Sequence, residues 1–531
     1  MEWLRVGGSV WIVNGIERIR ISVSGMLEQD KGKDWDKYED KFKDKVGVSD
    51  DCSDVPVHGD VIIVGGKGYI STETLPKYHA LNDGASIFAA ESEDAIRRRL
   101  RRAGVAVWSG NRSESSRASA SASASGSESE RARGSRSTSP GTSANPFEQP
   151  GVAHRGFRVS LFQLLPIMVE RLPLHGSSVM MRGSGRSEQL QEEDSRYRPL
   201  TRLAARALYA CGLDCGSVFI HADEQGRLFV ASVSLPPSQQ LLDAESIWGK
   251  AVTQLAQQLG DIRIGSGQQQ QVLLGADPEF LLLSESGKVV SAFRYLEGGH
   301  GAGCDSVLIG GQIKYSVAEL RPAPTDSPAE LARNIQKLLQ LAAKRIPDQP
   351  PLRWAAGGMP AAGFSLGGHL HLSGVPLTGR LLRLLDSYIA FPLAMIESPA
   401  EHKRRPRYGN LGDFRLQPHG GFEYRTLPSW LVSPLAAKAA FALALLCARE
   451  SGTLEACPSA EERYIDAYYA GDRDALRGCL DDLAASIAQT KSYRELAGWI
   501  EPLLAAIRSG RTWDTGIDIR VKWGILRADA H

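Results

Sequence analysis

The sequence contains no long hydrophobic run and no excess of either charge. Its longest apolar stretch, roughly residues 435–447, is too short and too rich in alanine to cross a bilayer and is typical of a buried helix. Charged residues at Glu2 and Arg5, with no long apolar segment behind them, argue against a secretory signal. A formal net charge of +1 over 531 residues argues against non-specific nucleic-acid binding. We therefore expect neither a membrane nor a nucleic acid as a partner.

Cysteine is also scarce, with seven residues scattered along the chain. Cys211 and Cys215 form the one close pair, and no second pair follows at zinc-finger spacing. We predict that they are reduced packing residues, with metal binding as the alternative. This usage fits a reducing compartment, so we expect a cytoplasmic protein. The length allows two to four domains, and an oligomer is compatible with the sequence.

Composition divides the first part of the chain into three stretches. Residues 1–58 include the highly charged EQDKGKDWDKYEDKFKDK and are predicted to be a poorly structured N-terminal extension. Residues 59–108 combine the strand pattern DVIIVGG with the helical EDAIRRRLRRAG, which predicts a small α/β unit. Its glycines lack the Lys-Ser/Thr ending of a phosphate loop, so a tight turn is favoured. Residues 109–147 are rich in Ser, Ala and Arg, and they predict a disordered linker.

Residues 151–245 predict a second α/β unit. Its helix, RPLTRLAARALYACGL, ends near Gly212 and is followed by two strand patterns, GSVFIHAD and GRLFVASVS. This order has a short resemblance to the last part of an ATP-grasp domain. The positions that would hold the metal ligands there are occupied by Phe219, Ser232 and Ser234. We therefore interpret the unit as structural or substrate-presenting.

Four strand-like segments in the second half each place two polar side chains two residues apart. These pairs are Asp277 and Glu279 in GADPEFLLL, Glu319 and Arg321 in YSVAELRP, His369 and His371 in GGHLHLSG, and Glu423 and Arg425 in GFEYRTLPS. Because strand side chains alternate between faces, residues at i and i+2 share one face. Charged residues rarely enter a buried sheet face without partners. The pattern therefore predicts a sheet with one apolar face and one face that binds a metal and phosphate.

Together with RYGNLGDFR, these segments resemble the glutamine synthetase and glutamate-cysteine ligase superfamily, and within it the phage-type carboxylate-amine ligases. GADPEF is similar to the first acidic strand of that superfamily, AELRPAP to the second and GGHLHLSG to its glycine-rich H-x-H segment. The resemblance covers residues 271–525. It implies an α+β fold, with a glutamine-synthetase-like antiparallel sheet and helices packed on one face.

The resemblance also implies an ATP-dependent ligase that joins a carboxylate to an amine through an acyl phosphate. Its substrates would be small-molecule or peptide carboxylates and amines, and its cofactors ATP and Mg²⁺. The implied metal ligands are Glu279, Glu319 and Glu423, with Asp277 as a ligand or a neighbour. The implied catalytic residues are Arg415, Arg425, Glu319 and Asp305, and the implied nucleotide-binding residues are His369, His371, Arg321, Arg404, Arg407 and Tyr408.

Several alternatives stay open. The histidine pair is also compatible with zinc, which would make the protein a metal-dependent hydrolase, and an inactive binding scaffold is a third hypothesis. The glycine-rich segment 297–305 is predicted to be a flexible hairpin loop, or a flap bringing Asp305 to an amine. Gly367 and Gly368 would permit close approach of a ligand or form a turn. Tyr408 would stack on adenine or pack against the protein.

Helix signals are strong in this region. Ser327, Pro328 and Glu330 form a capping box with proline in the first turn, which predicts a helix start. A second helix is predicted over residues 380–397, bent at Pro392 and with Arg383 on its outer face. Further helices are predicted to begin at Ser433 and to fill residues 461–509.

Overall fold

The computed structural model describes ten stretches of the chain: residues 10–14, 17–21, 61–65, 79–108, 155–173, 187–264, 271–296, 301–309, 312–418 and 420–526. We refer to residues 10–108 as the N-terminal unit, 155–264 as the middle unit and 271–526 as the C-terminal domain. The predicted linker at 109–147 lies outside the described residues.

The N-terminal unit is a four-stranded sheet with two helices. Its elements in chain order are β1 (Val10–Asn14), β2 (Glu17–Ile21), β3 (Val61–Gly65), β4 (His79–Leu81), α1 (Ala85–Ala90) and α2 (Glu93–Arg102). The strand order is β2-β1-β3-β4, and β1 and β4 both run parallel to β3. Two strands therefore lie within the segment that we expected to be poorly structured. Val10 and Ile12 are buried in one hydrophobic cluster with Ile63 and Leu81. The sequence Asn14-Gly15 at the end of β1 is a hairpin signal, which our composition argument overlooked.

The middle unit is an antiparallel sheet covered by a helix. It contains β5 (Arg155–Phe162), β6 (Leu165–Leu172), β7 (Glu188–Gln189), α3 (Tyr197–Ala210), β8 (Gly216–Ala222), β9 (Leu228–Ser234), α4 (Ser238–Leu242) and α5 (Ile247–Ile264). The strand order is β7-β6-β5-β8-β9. Helix α3 buries Leu200, Ala204 and Leu208 at spacings of four residues. The predicted helix and the two strands after it are confirmed.

The C-terminal domain is built on an eight-stranded sheet. Its strands are β10 (Leu273–Ser284), β11 (Val289–Val290), β12 (Gly301–Ile309), β13 (Gln312–Arg321), β14 (Leu352–Ala355), β15 (Gly368–Ser373), β16 (Phe414–Leu416) and β17 (Phe422–Tyr424). The main path runs β12-β13-β10-β15-β17-β16, while β11 and β14 also pair with β10. The pairings are antiparallel. Gly301 to Asp305 therefore form part of an edge strand and not the flexible loop that we predicted; residues 297–300 lie outside the described part of the chain.

The helices of this domain are α6 (Pro328–Arg345), α7 (Gly379–Leu385), α8 (Phe391–Ile396), α9 (Pro434–Arg449), α10 (Glu462–Ala470), α11 (Arg473–Arg477), α12 (Leu480–Ala488), α13 (Tyr493–Arg508) and α14 (Ile519–Lys522). Ser327 and Ser433 cap α6 and α9, as the sequence predicted. The predicted helix over 380–397 is instead interrupted by a π-helical turn, Asp386–Ala390. Pro392 cannot donate to the carbonyl of residue 388, which accounts for a wider turn at this place.

Helices α6 and α9 pack on one face of the sheet. On this face β10 contributes Phe280, which stacks on Trp354 with ring centroids 4.9 Å apart. One continuous hydrophobic core extends from the N-terminal unit through the middle unit to Trp523. The α+β class is thus confirmed, with an antiparallel sheet and helices on one face. Within the described stretches, every helix is too short or too polar to cross a membrane.

Candidate active site

Strand register places the predicted polar pairs on the sheet face opposite α6 and α9. Glu279 lies opposite Glu319, and Asp277 lies opposite His369. On the next pairing, Glu423 lies opposite both His371 and Arg415. Partners across antiparallel strands share a face, so these side chains form one polar layer over five strands. The sequence predicted this face but not which residues meet on it.

The first cluster on this face consists of three carboxylates. Glu279, Asp305 and Glu319 can each offer an oxygen within 4.8 Å of the others. Burial, and then the nearby charge of Asp277, raise the pKa of Glu319 to about 8, although Arg321 forms an ion pair with it. Like charges this close favour a neutral carboxyl or a bound cation. The cluster contains oxygen ligands alone, which Mg²⁺ prefers.

The second cluster lies beside the first and contains a nitrogen. Nδ1 of His369 is 3.1 Å from Oδ1 of Asp277 and 3.1 Å from Oε1 of Glu423, and Nε2 of His371 is 3.2 Å from Oδ2 of Asp277. Burial opposes the charge on Asp277, but the two histidines hold its pKa below the usual range. Burial likewise opposes protonation of His369, while Asp277 raises its pKa. Asp277 and His369 therefore stabilise the charged forms of one another.

Cationic and amide groups surround Glu423 at the β16–β17 edge. Nε of Arg415 donates to its Oε2 over 2.6 Å, and Nε2 of Gln417 donates to the same oxygen over 3.0 Å. Nε of Arg425 is 3.1 Å from Oε1. Glu423 is fully buried, whereas Arg415 is exposed. Sequence reasoning missed Gln417, and its place two residues after Arg415, immediately beyond the edge strand β16, is the signal that pointed to it.

Several buried atoms of this face make no hydrogen bond of good geometry to any described residue. They are Asp277 Oδ1, Glu319 Oε2, His369 Nδ1, His371 Nε2, Glu423 Oε1 and Arg425 Nε. Buried polar atoms are normally satisfied, and a bound ion is one physical explanation for a group of exceptions. Three of the six atoms are carboxylate oxygens, and such oxygens are suitable ligands for magnesium.

Three predicted nucleotide-binding residues lie apart from this layer. Arg404 is buried and donates to the carbonyls of Thr426 and Leu427 over 3.1 and 3.3 Å. Arg407 and Tyr408 are both exposed, and the guanidinium carbon of Arg407 lies 5.5 Å from the Tyr408 ring centroid. Arg404 thus holds the chain around β17, while the other two present side chains to solvent.

The glycines before the H-x-H pair have a packing role. A Cβ on Gly367 would lie 2.3 Å from the His369 ring, and one on Gly368 would lie 2.5 Å from the carbonyl of Pro428. The N–H of Gly367 also donates to Oε2 of Glu279 over 2.8 Å. The two glycines therefore let β15 and the Pro428 segment approach, and Gly367 fixes the Glu279 carboxylate.

Solved structures similar to this chain include a bifunctional glutathione synthetase from Pasteurella multocida, with 13% identity, a TM-score of 0.29 and coverage of 49% of each chain. Others are the complex between the prokaryotic ubiquitin-like protein Pup and its ligase PafA (12% identity, TM-score 0.31, 48% of this chain and 67% of that one) and the GmaS/ADP complex (14%, 0.26, 59% and 84%). This chain spans about half the length of the glutathione synthetase. A comparison with curated proteins finds no match.

A family model matches the part of the chain that carries the polar face. The match covers residues 274–525, from within β10 to just beyond α14. It includes all thirteen residues that the sequence nominated for the site. Residues 274–525 match the model of the phage phiEco32-like COOH·NH2 ligase-type 2 family, so this part of the chain is similar to that family.

Proposed function

We propose that this carboxylate-amine ligase uses ATP and Mg²⁺ to form an amide bond through an acyl phosphate. The observation that supports the proposal most strongly is the pair of adjacent clusters, one of three carboxylates and one of two carboxylates and a histidine, on one sheet face. An ordinary solvated face has no need of such partly buried charges. A cation that bridges carboxylates and phosphate oxygens accounts for them.

Glu279, Asp305 and Glu319 would hold one Mg²⁺, and Asp277, His369 and Glu423 a second cation. When bound, Mg²⁺ would neutralise charge on the phosphate oxygens and carboxylates. The chain supplies the rigid arrangement, because the ligands project from neighbouring strands of one sheet. In this proposal Asp305 is a metal ligand, whereas the sequence analysis considered it as an acid that a flap over residues 297–305 would bring to the amine.

Arg415 and Arg425 would bind the transferred phosphoryl group. In the first step an oxygen of the substrate carboxylate bonds to the γ-phosphorus, and the bond from that phosphorus to ADP breaks. In the second step the amine nitrogen attacks the acyl carbon, inorganic phosphate leaves and the nitrogen loses a proton. Planar guanidinium groups suit the phosphoryl oxygens in both steps.

The substrates in this proposal are a small-molecule or peptide carboxylate and an amine. An ATP-consuming reaction and six free cysteines among the described residues are consistent with the cytoplasm.

A zinc-dependent hydrolase is the second candidate, and the nitrogen ligand of His369 favours it. Zinc in proteins accepts mixed histidine and carboxylate ligands. The three-carboxylate cluster beside it favours magnesium, since it offers oxygen ligands alone.

Hydroxylamine is a suitable test amine, because it converts an acyl phosphate to a hydroxamate that is easy to detect. The full chain is incubated with ATP, Mg²⁺, hydroxylamine and a panel of free amino acids and short peptides with Asp or Glu side chains. We expect ADP release and hydroxamate formation that both require Mg²⁺ and a carboxylate. Stoichiometric bound zinc without nucleotide binding would favour the hydrolase hypothesis. If the protein neither released ADP nor bound zinc, the inactive-scaffold hypothesis would be favoured.

A further inference from the structure

A tyrosine of the middle unit contacts the segment that leads into β16 of the active-site sheet. Tyr209, near the end of α3, donates its hydroxyl to Oδ2 of Asp386 over 2.6 Å. Its ring lies 5.2 Å from the guanidinium carbon of Arg383. Arg383 and Asp386 are three residues apart at the junction of α7 and the π-helical turn, so they share a side and hold the tyrosine by its ring and its hydroxyl.

The same carboxylate contacts the strand that bears the site residues. Oδ1 of Asp386 accepts a hydrogen bond from the Tyr424 hydroxyl over 2.6 Å and one from the N–H of Gly412 over 3.2 Å. Tyr424 lies between Glu423 and Arg425 in the sequence, and its side chain lies on the opposite face of β17. The position of the Tyr424 side chain therefore fixes the backbone that presents both site residues.

Gly412 adds a second contact at the base of β16. A Cβ at this position would lie 2.4 Å from the Tyr209 ring, and the backbone has a φ of +66°. The tyrosine thus packs directly against a backbone segment that glycine makes accessible. Three residues further on is Arg415, which holds Glu423.

Asp386 is fully buried, and its neighbours satisfy both of its oxygens. A buried carboxylate is stabilised when it accepts several hydrogen bonds, and removing one donor leaves one of its oxygens without a hydrogen-bond partner. Loss of the Tyr209 hydroxyl should therefore loosen the whole connection. A π-helical turn at this place is also unusual, since such turns are rare and concentrate at functional sites.

We propose that Tyr209 and Asp386 are positioning residues through which the middle unit holds β16 and β17 in the geometry needed for phosphoryl transfer. The proposal rests on the ligase function proposed above. It gives the middle unit a role that does not require a metal site of its own.

The test compares Tyr209→Phe with Tyr388→Phe in the full chain. Both changes remove one hydroxyl that makes one hydrogen bond, since Tyr388 donates to Ser486 over 2.8 Å and has no bond to Asp386. Hydrogen exchange is measured on peptides that cover residues 412–427, and Mg²⁺- and hydroxylamine-dependent ADP release is measured with the carboxylate panel. Tyr424→Phe serves as a second variant on the same carboxylate.

We expect Tyr209→Phe and Tyr424→Phe to speed exchange in residues 412–427 about tenfold and to lower kcat about tenfold, with KM for ATP within about twofold of wild type. Tyr388→Phe should change neither the exchange of residues 412–427 nor kcat, although it should lower thermal stability about as much as Tyr209→Phe does. Equal exchange in the 209 and 388 variants would overturn the proposal, and so would faster exchange with unchanged kcat.

Failure of the ligase function would be visible separately. If wild type released no ADP, the proposed function would be wrong. Exchange in residues 412–427 would then still distinguish the variants: a selective increase would support the role of Tyr209 and Asp386 in holding β17, and equal exchange would exclude it.

Discussion

Replacement of Glu319 by glutamine should separate the effect of charge repulsion from that of metal binding. Without a cation, burial and neighbouring carboxylates raise the pKa of Glu319 to about 8 from an ordinary 4.5. This difference corresponds to on the order of 5 kcal/mol for ionising the carboxyl in the folded protein. Because the folded pKa is raised, stability is lost as pH rises from about 4.5 to about 8. Glu319→Gln has no such loss.

In chelator at pH 8, we therefore expect Glu319→Gln to unfold at a higher temperature than wild type. Side-chain relaxation should reduce the gain to roughly half, which is about 5–10 °C for a domain of this size. The difference should shrink at pH 5.5, where most of the carboxyl is protonated in wild type. Saturating Mg-ATP should then stabilise wild type by about 2.7 kcal/mol at a hundred times Kd, and the variant by less than a third of that.

The assay is thermal unfolding at both pH values in chelator, in Mg²⁺ and in Mg-ATP. Glu285→Gln is the control. Glu285 is exposed in the turn after β10, so this substitution removes the same charge outside the site. A Glu319→Gln variant that is less stable than wild type in chelator at pH 8 would refute the repulsion argument. An undiminished gain from Mg-ATP would refute the assignment of Glu319 as a metal ligand.

Three further predictions concern other charged groups. Arg425→Lys should lower turnover about a hundredfold with little change in ATP affinity, because the guanidinium stabilises charge that develops during phosphoryl transfer. Arg333→Lys, on the exposed surface of α6, should leave turnover unchanged, and equal effects of the two substitutions on kcat would contradict the proposed role of Arg425. Arg383→Met should cost on the order of 3–5 kcal/mol in thermal unfolding, because it leaves the buried Asp214 without its cation, and unchanged stability would show that this pair is dispensable. Burial raises the pKa of Asp386 to about 7, so the stability of wild type relative to Asp386→Asn should fall as pH rises from 4 to 7, and a constant difference would mean that this carboxyl stays charged.

The polar face could be predicted from the sequence because a strand imposes a two-residue period. Asp277 and Glu279 alternate with Ala276, Pro278 and Phe280, and the aliphatic positions indicate which face is buried. The register between strands could not be predicted in this way, since it depends on contacts between strands that are far apart in sequence. The sequence therefore predicted a mixed set of ligands but not its division into two clusters.

Arg383 shows what periodicity cannot detect. In GRLLRLLDSY it has the spacing of a surface residue, and we predicted an outer face, yet it is 5% exposed. Its partner Asp214 lies in the middle unit, 3.4 Å away and 169 residues earlier. A buried charge with a partner in another unit leaves no local signal. The prediction was wrong because it assumed that this helix faces solvent.

The glycine-rich segment before Asp305 led to the opposite error. Glycine usually weakens a strand, so GGHGAGCD was predicted to be a loop. In the structure Gly303 lies opposite Glu319 on the polar face. A residue without a side chain at this position leaves room beside the Glu319 carboxylate, so the same glycines that hide the strand in the sequence help to form the cluster.

Residue type also fails to distinguish arginines that bind anions from those that hold the chain. Nη1 and Nη2 of Arg404 donate to two carbonyls, and its Nε donates to Ser365 over 3.3 Å. A phosphate could bind there only if these bonds broke, which would leave buried carbonyls unsatisfied. Arg425 is partly exposed, and its Nε makes no hydrogen bond of good geometry to any described residue. The capacity to bind a new anion is therefore greater at Arg425 than at Arg404, which supports the proposal that the phosphoryl group binds on the β17 side of the two clusters.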